Sequence, residues 1–300
     1  MSKREISGVL LLDKPLGLTS NAALQKVKSL FHSGKAGHTG TLDPLATGLL
    51  PVCLGEATKF SQALLDAGKS YQAVVKLGET TSTGDSEGEI LLTRIVDASR
   101  SQVEKALKRL LGNIEQIPPM YSALKHRGKP LYAYARQGKH VERVPRKVHI
   151  ETLQLDDMSR HDLKLTIRCS KGTYIRVLAQ DLGEMLGCGA HLKALRRTQV
   201  GPFDLHEART LRQLETMNLQ QRDANLLPID SLLVALPKIL LDDGNCGNFL
   251  QGNTITLTAS PSCGTVRIYN MKQRLIGIGE ITQQGKIKPK RLIVKNSPQS

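Results

Sequence analysis

Residues 37–48 read Gly37-His38-Thr39-Gly40-Thr41-Leu42-Asp43-Pro44-Leu45-Ala46-Thr47-Gly48. Gly37, Gly40, Pro44 and Gly48 prevent a helix from running through this stretch, so it reads as a shaped loop. The loop holds a single carboxylate, Asp43, with His38 five residues before it, and no cysteine or serine. Glycines at this density let something bulky approach the backbone closely. Two readings stand side by side: a surface turn begun by Asp-Pro, or a loop that presents Asp43 to a ligand.

Outward from this loop the pattern is mixed. Gly8 to Leu12 is a short apolar run, read as a buried strand, and Asp13-Lys14-Pro15-Leu16-Gly17 closes it as a turn. Ser20 or Asn21 can cap a helix that places Ala22, Leu24, Val27, Leu30 and Phe31 on one side. Tyr71 to Leu77 alternates as a strand and leads into a polar loop, Gly78 to Gly88. Ser101 and Glu104 suggest a capping box ahead of Val103, Leu107, Leu110 and Leu111, with Gly112 as the stop. His149 to Leu155 and Leu163 to Cys169 are strand candidates, and Tyr174 to Leu186 reads as a helix ended by Gly187. Strands mixed with helices, without regular βαβ alternation, predict an α+β fold with a mixed or antiparallel sheet. Near residue 235 the composition shifts to short runs, Thr254–Leu257, Thr265–Tyr269, Leu275–Ile281 and Arg291–Val294, which predict a small β-rich domain.

The 300-residue chain carries a formal charge of +15 and a pI near 9.7, which predicts a polyanionic partner. Aromatic residues are 3% and tryptophan is absent, which argues for shape and phosphate contacts over a stacking platform. Cys53, Cys169, Cys188, Cys246 and Cys263 form no CxxC pair; Cys53 and Cys169 read as small core residues, and a reducing cytoplasm is expected. No apolar run has the length of a signal peptide or membrane span. Sequence signatures for nucleotide cofactors, zinc peptidases and serine hydrolases are missing, and the His38–Asp43 pair has no third ligand nearby, so neither a cofactor nor a metal is expected.

The segment from Gly37, continued through Leu49-Leu50-Pro51-Val52-Cys53-Leu54-Gly55-Glu56-Ala57-Thr58-Lys59, resembles the catalytic motif of the TruB family, bacterial tRNA pseudouridine synthases that modify the T-arm uridine. The opening motif Lys14-Pro15-Leu16-Gly17-Leu18-Thr19-Ser20 is similar to that family's as well. The resemblance is very specific over residues 8–78 and 114–136, specific over 168–197 and moderate beyond 240. It implies a pseudouridine-synthase catalytic domain at 1–235 and a PUA-like RNA-binding domain at 236–300. It implies that Asp43 is the nucleophile, that Arg176 in Ser170-Lys171-Gly172-Thr173-Tyr174-Ile175-Arg176 pairs with it, and that Tyr174 lies against the base. Tyr71 would stack on the uracil and take part in the final proton removal. His38 would hold the remodelled T-loop, Leu195 would line the uracil pocket, Asp85 would position the arginine, and Lys14 and Pro15 would support the loop. From the residues alone, Tyr71 and Leu195 read as core, His38 and Asp85 as loop residues, and Arg176 as an exposed arginine at a strand-to-helix junction.

Residues 121–150 set Lys125, Arg127, Lys129, Arg136, Lys139, Arg143, Arg146 and Lys147 against one acid, Glu142. Such a run is usually a solvated face; by resemblance, residues 114–147 are a basic insertion that closes over the T-arm. Lys286, Lys288, Lys290, Arg291 and Lys295 form a second basic cluster. The expectation is a cytoplasmic enzyme, monomeric and without an obligatory protein partner or membrane, acting on the tRNA T-arm stem-loop. Uridine 55 would be flipped out and isomerised. The rivals are a guide-RNA-dependent synthase of the dyskerin type and an RNA-folding protein with incidental catalysis.

Overall fold

Successive side chains of the Gly8–Lys14 strand enter two different cores: Leu10 and Leu12 join one layer, Val9 and Leu11 the other. A strand buried on both faces reads as a continuous apolar run rather than an alternating one. The computed structural model, which describes residues 3–256 and 263–293, places this strand inside a ten-stranded mixed sheet. Along the main path the strands run Arg209–Thr210, Gly8–Lys14, Ala46–Leu54, Ala190–Val200, Lys69–Leu77, Asp162–Cys169, Arg146–Met158 and Gly112–Gln116. Ala36–His38 pairs with Ala46–Leu54, and Phe203–Asp204 with Ala190–Val200. Two pairings are parallel, Gly8–Lys14 with Arg209–Thr210 and Ala46–Leu54 with Ala190–Val200, which makes the sheet mixed.

Helices Ser20–Leu30, Arg100–Arg109 and Ile175–Met185 cover one face with Ala23, Leu24, Val27, Val103, Leu107, Leu178 and Leu182. The other face is covered by Phe60, Leu64, Ile229 and Leu232, joined by Tyr269, Leu275 and Ile293 from the C-terminal region. That region is a five-stranded sheet ordered Lys238–Leu241, Gly264–Asn270, Leu275–Ile281, Lys286–Leu292 and Ile255–Thr256. A helix, Asp243–Leu250, packs on it around Phe249. The α+β expectation with a small β-rich C-terminal region is met.

Local details differ from the sequence reading. Thr19, not Ser20 or Asn21, caps the first helix, because the Ser20 hydroxyl is already bonded to Leu42. Its buried stripe includes Ala23 in place of Ala22. The capping box of the next long helix is Ser99 with Gln102 rather than Ser101 with Glu104; Glu104 instead pairs with Arg100. Ala36–His38 and Ala46–Leu54 are strands, so only residues 39–45 are loop. Ile114 to Gln116 and Arg146–Lys147 lie within sheet strands, so the segment that leaves the sheet is 117–145. The last strand is Lys286–Leu292, earlier than the Arg291–Val294 run. Leu257, Val294 and Lys295 lie outside the described residues. Among the described residues no helix is long and apolar enough to cross a membrane.

Gly48 sits in register between two buried cations, Lys14 on one neighbouring strand and Arg197 on the other. Its φ is +99°, and a Cβ there would lie 2.3 Å from the Arg197 carbonyl oxygen. Gly48→Ala should therefore destabilise the protein by about 3 kcal/mol or more in urea unfolding. Gly17→Ala, also at positive φ but with nothing within 4 Å, should cost about 1 kcal/mol. Equal costs at the two positions would contradict this register.

Candidate active site

The Asp43 loop is tied down from three sides. The Ser20 hydroxyl donates to the Leu42 carbonyl at 2.9 Å and accepts from the Leu42 amide at 2.7 Å, which fixes the residue before Asp43 to the start of a helix. The Gly17 amide donates to the Pro44 carbonyl at 2.9 Å, and the Ala46 amide to the Asp43 carbonyl at 3.0 Å, closing the Asp-Pro turn. Lys14 is fully buried, and its ammonium donates to the carbonyls of Pro15 at 2.9 Å and Leu18 at 2.6 Å. Burial lowers its pKa to about 8. Both Lys14 and Pro15 thus hold the turn that holds the loop.

Asp43 Oδ2 meets an Arg176 guanidinium nitrogen at 2.9 Å. The Arg176 side chain is 6% exposed and that of Asp43 40%, so the cation is locked in while the carboxylate faces the cleft. Arg176 also approaches Asp85 Oδ2 at 3.5 Å and donates to the carbonyls of Thr83 at 3.1 Å and Tyr121 at 2.6 Å. Asp85 is itself buried; its carboxylate accepts from the Thr83 hydroxyl and from the Glu87 amide at 3.1 Å. Burial pushes the Asp43 carboxyl above its usual 3.8, and Asp85 adds to the rise; Arg176 pulls it back. Removal of Arg176 would leave two carboxylates facing each other without their shared cation.

Asp43 stands where two cavities meet. The first, about 350 Å³, is lined by Tyr71, Tyr174, Leu195, Arg197 and Arg176. Tyr71 and Leu195 point the same way because their strands are paired in the sheet, Tyr71 opposite Arg197 and Leu195 opposite Ala73. Burial keeps the Tyr71 hydroxyl above the ordinary tyrosine pKa. Tyr174 caps the helix that carries Arg176, and Gln116 binds it there: the Tyr174 amide donates to Gln116 Oε1 at 2.9 Å, and the Gln116 amide group donates back to the Tyr174 carbonyl at 3.3 Å. The second cavity, about 540 Å³, is lined by His38, Asn21, Tyr121, Tyr132, Arg136 and Asp85. His38 Nδ1 is buried with no protein partner, and burial lowers the ring's pKa.

The structure therefore gathers Asp43, Tyr71, Arg176, His38, Tyr174, Leu195 and Asp85 around one cleft, with Lys14 and Pro15 behind it. Sequence reasoning missed Ser20, Gln116 and Arg197. Ser20 was assigned to a cap, and Gln116 carries no signal of its own. Arg197 lies two residues from Leu195, on the same face of a strand, which was the available clue.

A family model described as TruB family pseudouridylate synthase (N terminal domain) matches residues 28–175. The tRNA pseudouridylate synthase B C-terminal domain matches 176–234, and Pseudouridine synthase II TruB, C-terminal, matches 237–293. The tRNA pseudouridine synthase B of Nitrosospira multiformis is 52% identical over 303 residues, covering 97% of this chain and 97% of its own. That of Dechloromonas aromatica is 54% identical over 290 residues, covering 97% and 96%. A chain in the crystal structure of a Cbf5-Nop10-Gar1 complex aligns with TM-score 0.72 and 26% identity, over 95% of this chain and 84% of that one. A chain of an H/ACA RNP bound to a substrate RNA containing 2'-deoxyuridine aligns with TM-score 0.72 and 25% identity, over 96% and 85%. Matched over nearly its whole length, and at about half identity to its relatives, the chain belongs to the TruB family and is a pseudouridine synthase.

Proposed function

We propose that this enzyme isomerises uridine 55 in the T-arm of tRNA, with Asp43 as the nucleophile. The observation that carries this reading is the Asp43–Arg176 pair, whose carboxylate is open to the cleft while its cation is buried. A carboxylate nucleophile can form a covalent intermediate and divide one hard step into two easier ones. The bond from uracil nitrogen to ribose breaks, the base turns within the first cavity, and carbon 5 joins the ribose in its place. Tyr71 and Leu195 supply the flat and apolar walls for that rotation. A proton then leaves carbon 5, and in this reading the Tyr71 oxygen accepts it.

The tRNA substrate is supported by the relatives, which are tRNA pseudouridine synthases B over almost the whole length. Likeness at about half identity to those enzymes, against 26% to the Cbf5 complex, supports a synthase that works without a guide RNA. Lys125, Arg127, Lys129, Arg136, Lys139, Arg146 and Lys147 are exposed, Arg136 lines the second cavity, and in this reading they supply phosphate contacts. The C-terminal sheet adds a second basic strip at Lys286, Lys288 and Arg291, the PUA-like RNA-binding domain in this reading. A paired uridine must leave its stack to reach Asp43, which costs a few kcal/mol. The second cavity, lined by His38, Tyr132 and Arg136, holds the loop nucleotides that the extrusion displaces.

On an unmodified tRNA transcript, carbodiimide mapping should find pseudouridine at position 55 and at no other uridine. Conversion elsewhere, or none, contradicts the substrate assignment. Affinity for that transcript should fall steeply as salt rises, because the exposed cations displace counterions.

The rate also requires ionised Asp43, so activity rises with pH as its carboxyl loses a proton. Arg176→Met removes the group that holds this pKa down. The single-turnover rate should drop about 100-fold or more, and its acid limb should move to higher pH. Asp85→Asn should move the limb the other way. A limb that stays in place in Arg176→Met would show that Asp43 ionisation does not govern the rate.

A further inference from the structure

Arg197 is the largest fully buried side chain among the described residues, and the steps above leave it without a task. Its Nε donates to the Leu49 carbonyl at 2.7 Å, and a terminal nitrogen donates to the Gly40 carbonyl at 3.1 Å. Those two carbonyls stand at either end of the segment that carries Asp43. Arg197 is also directly opposite Tyr71 in the antiparallel ladder, so both side chains leave the same face of the sheet and both line the first cavity. Among the described residues no carboxylate pairs with Arg197 within 4.0 Å. A buried cation without an anionic partner is costly. The acidic group that its guanidinium faces is the Tyr71 phenol.

We propose that Arg197 is a positioning residue with two actions: it ties the start of the Asp43 loop to the strand that follows the loop, and it supplies the counter-charge for a Tyr71 phenolate. The proposal rests on the function proposed above. In the last step the proton on carbon 5 passes to the Tyr71 oxygen, which has given its own proton to solvent. The electron pair of the broken C5–H bond closes the C5–C6 double bond, the N1–C6 double-bond pair returns to N1, and N1 takes a proton from water. No net charge or electron is gained, and the enzyme recovers its phenol. Arg197 lowers the cost of the phenolate that this step requires.

The other titratable groups around the pair are Lys69 on the Tyr71 strand, Cys169 on the adjoining strand, Lys14 on the strand beyond Gly48, and Asp43 and His38 at the cleft. Lys69 and Lys14 are both lowered to about 8 by burial, so an alkaline pH limb would mix several groups. The isotope effect at carbon 5 isolates the step in question. Single-turnover conversion is therefore followed with tRNA carrying 5-deuterouridine, for the wild type, Arg197→Lys and Arg197→Gln. Lys keeps the charge but cannot span both carbonyls; Gln keeps one donor and removes the charge.

Both variants should bind tRNA as the wild type does. Arg197→Gln should be slower by about 100-fold and should show a deuterium isotope effect clearly larger than the wild type's; Arg197→Lys should restore much of the rate and the smaller effect. Equal losses in the two variants with the isotope effect unchanged would mean that Arg197 is only a clamp, and would overturn the proposal. If one variant fails to fold, the isotope effect of the other decides. A wild type that converts no uridine would instead overturn the functional reading itself.

Discussion

One guanidinium joins four parts of the chain that are far apart in sequence. Arg176, at the start of a helix, touches Asp43 from the glycine-rich loop, Asp85 and Thr83 from the loop between the short paired strands Glu79–Thr81 and Ile90–Thr93, and the Tyr121 carbonyl from the basic insertion. A carboxylate at the foot of a cleft loses hydration and is pushed toward its neutral form; a fixed cation opposes that. The rest of the site follows from keeping Arg176 fixed. Gln116 holds the helix start, the Thr83 hydroxyl and Glu87 amide hold Asp85, and Ser20 holds the residue before Asp43. The link to Tyr121 means that the segment carrying the exposed cations shares a hydrogen-bonded anchor with the Asp43–Arg176 pair.

Buried positive charge is the second constraint. Lys14, Lys69, Arg176 and Arg197 are all buried close to the cleft. Lys14 and Lys69 are satisfied by backbone carbonyls: Lys14 by Pro15 and Leu18, Lys69 by Leu65 at 2.9 Å and Ala67 at 2.6 Å. Donors satisfied in this way keep the desolvation cost tolerable. They also make each cation a staple between a strand and a turn. Between Lys14 and Arg197, Gly48 lets the Arg197 backbone approach closer than any side chain there would allow.

Much of this was legible in the sequence, and the reasons for the rest are physical. The run from Gly8 to Leu12 reads as a buried strand, and the glycines around Asp43 read as a shaped loop, with a surface turn as the other reading. The capping hydroxyl of the first helix was not decidable, since Thr19 and Ser20 are adjacent and the choice depends on Leu42, a tertiary partner. Gln102 served as well as a glutamate in the capping box, which moved that box by two residues. Lys286–Leu292 escaped notice because Ile287 is its one deeply buried side chain amid exposed cations. Arg197 is the most instructive omission. An arginine pair after Leu195 reads as solvent-facing; the two-residue spacing from Leu195 hints at Arg197, and the pairing of three strands shows that it is sealed inside. Asp85 and Tyr71, ordinary by their local pattern, owe their placement at the site to long-range pairing that a linear reading cannot supply.

The central claim is that Asp43 does the chemistry while the surrounding cations hold it ready. Its most direct test is tritium release from carbon 5 of uridine-labelled, unmodified tRNA, measured for the wild type and Asp43→Asn at equal tRNA affinity. Asparagine preserves the shape of the loop and removes the nucleophilic charge. The account predicts release by the wild type and none above background by Asp43→Asn. Release by both at comparable rates would contradict it and move the reaction to another group in the cleft.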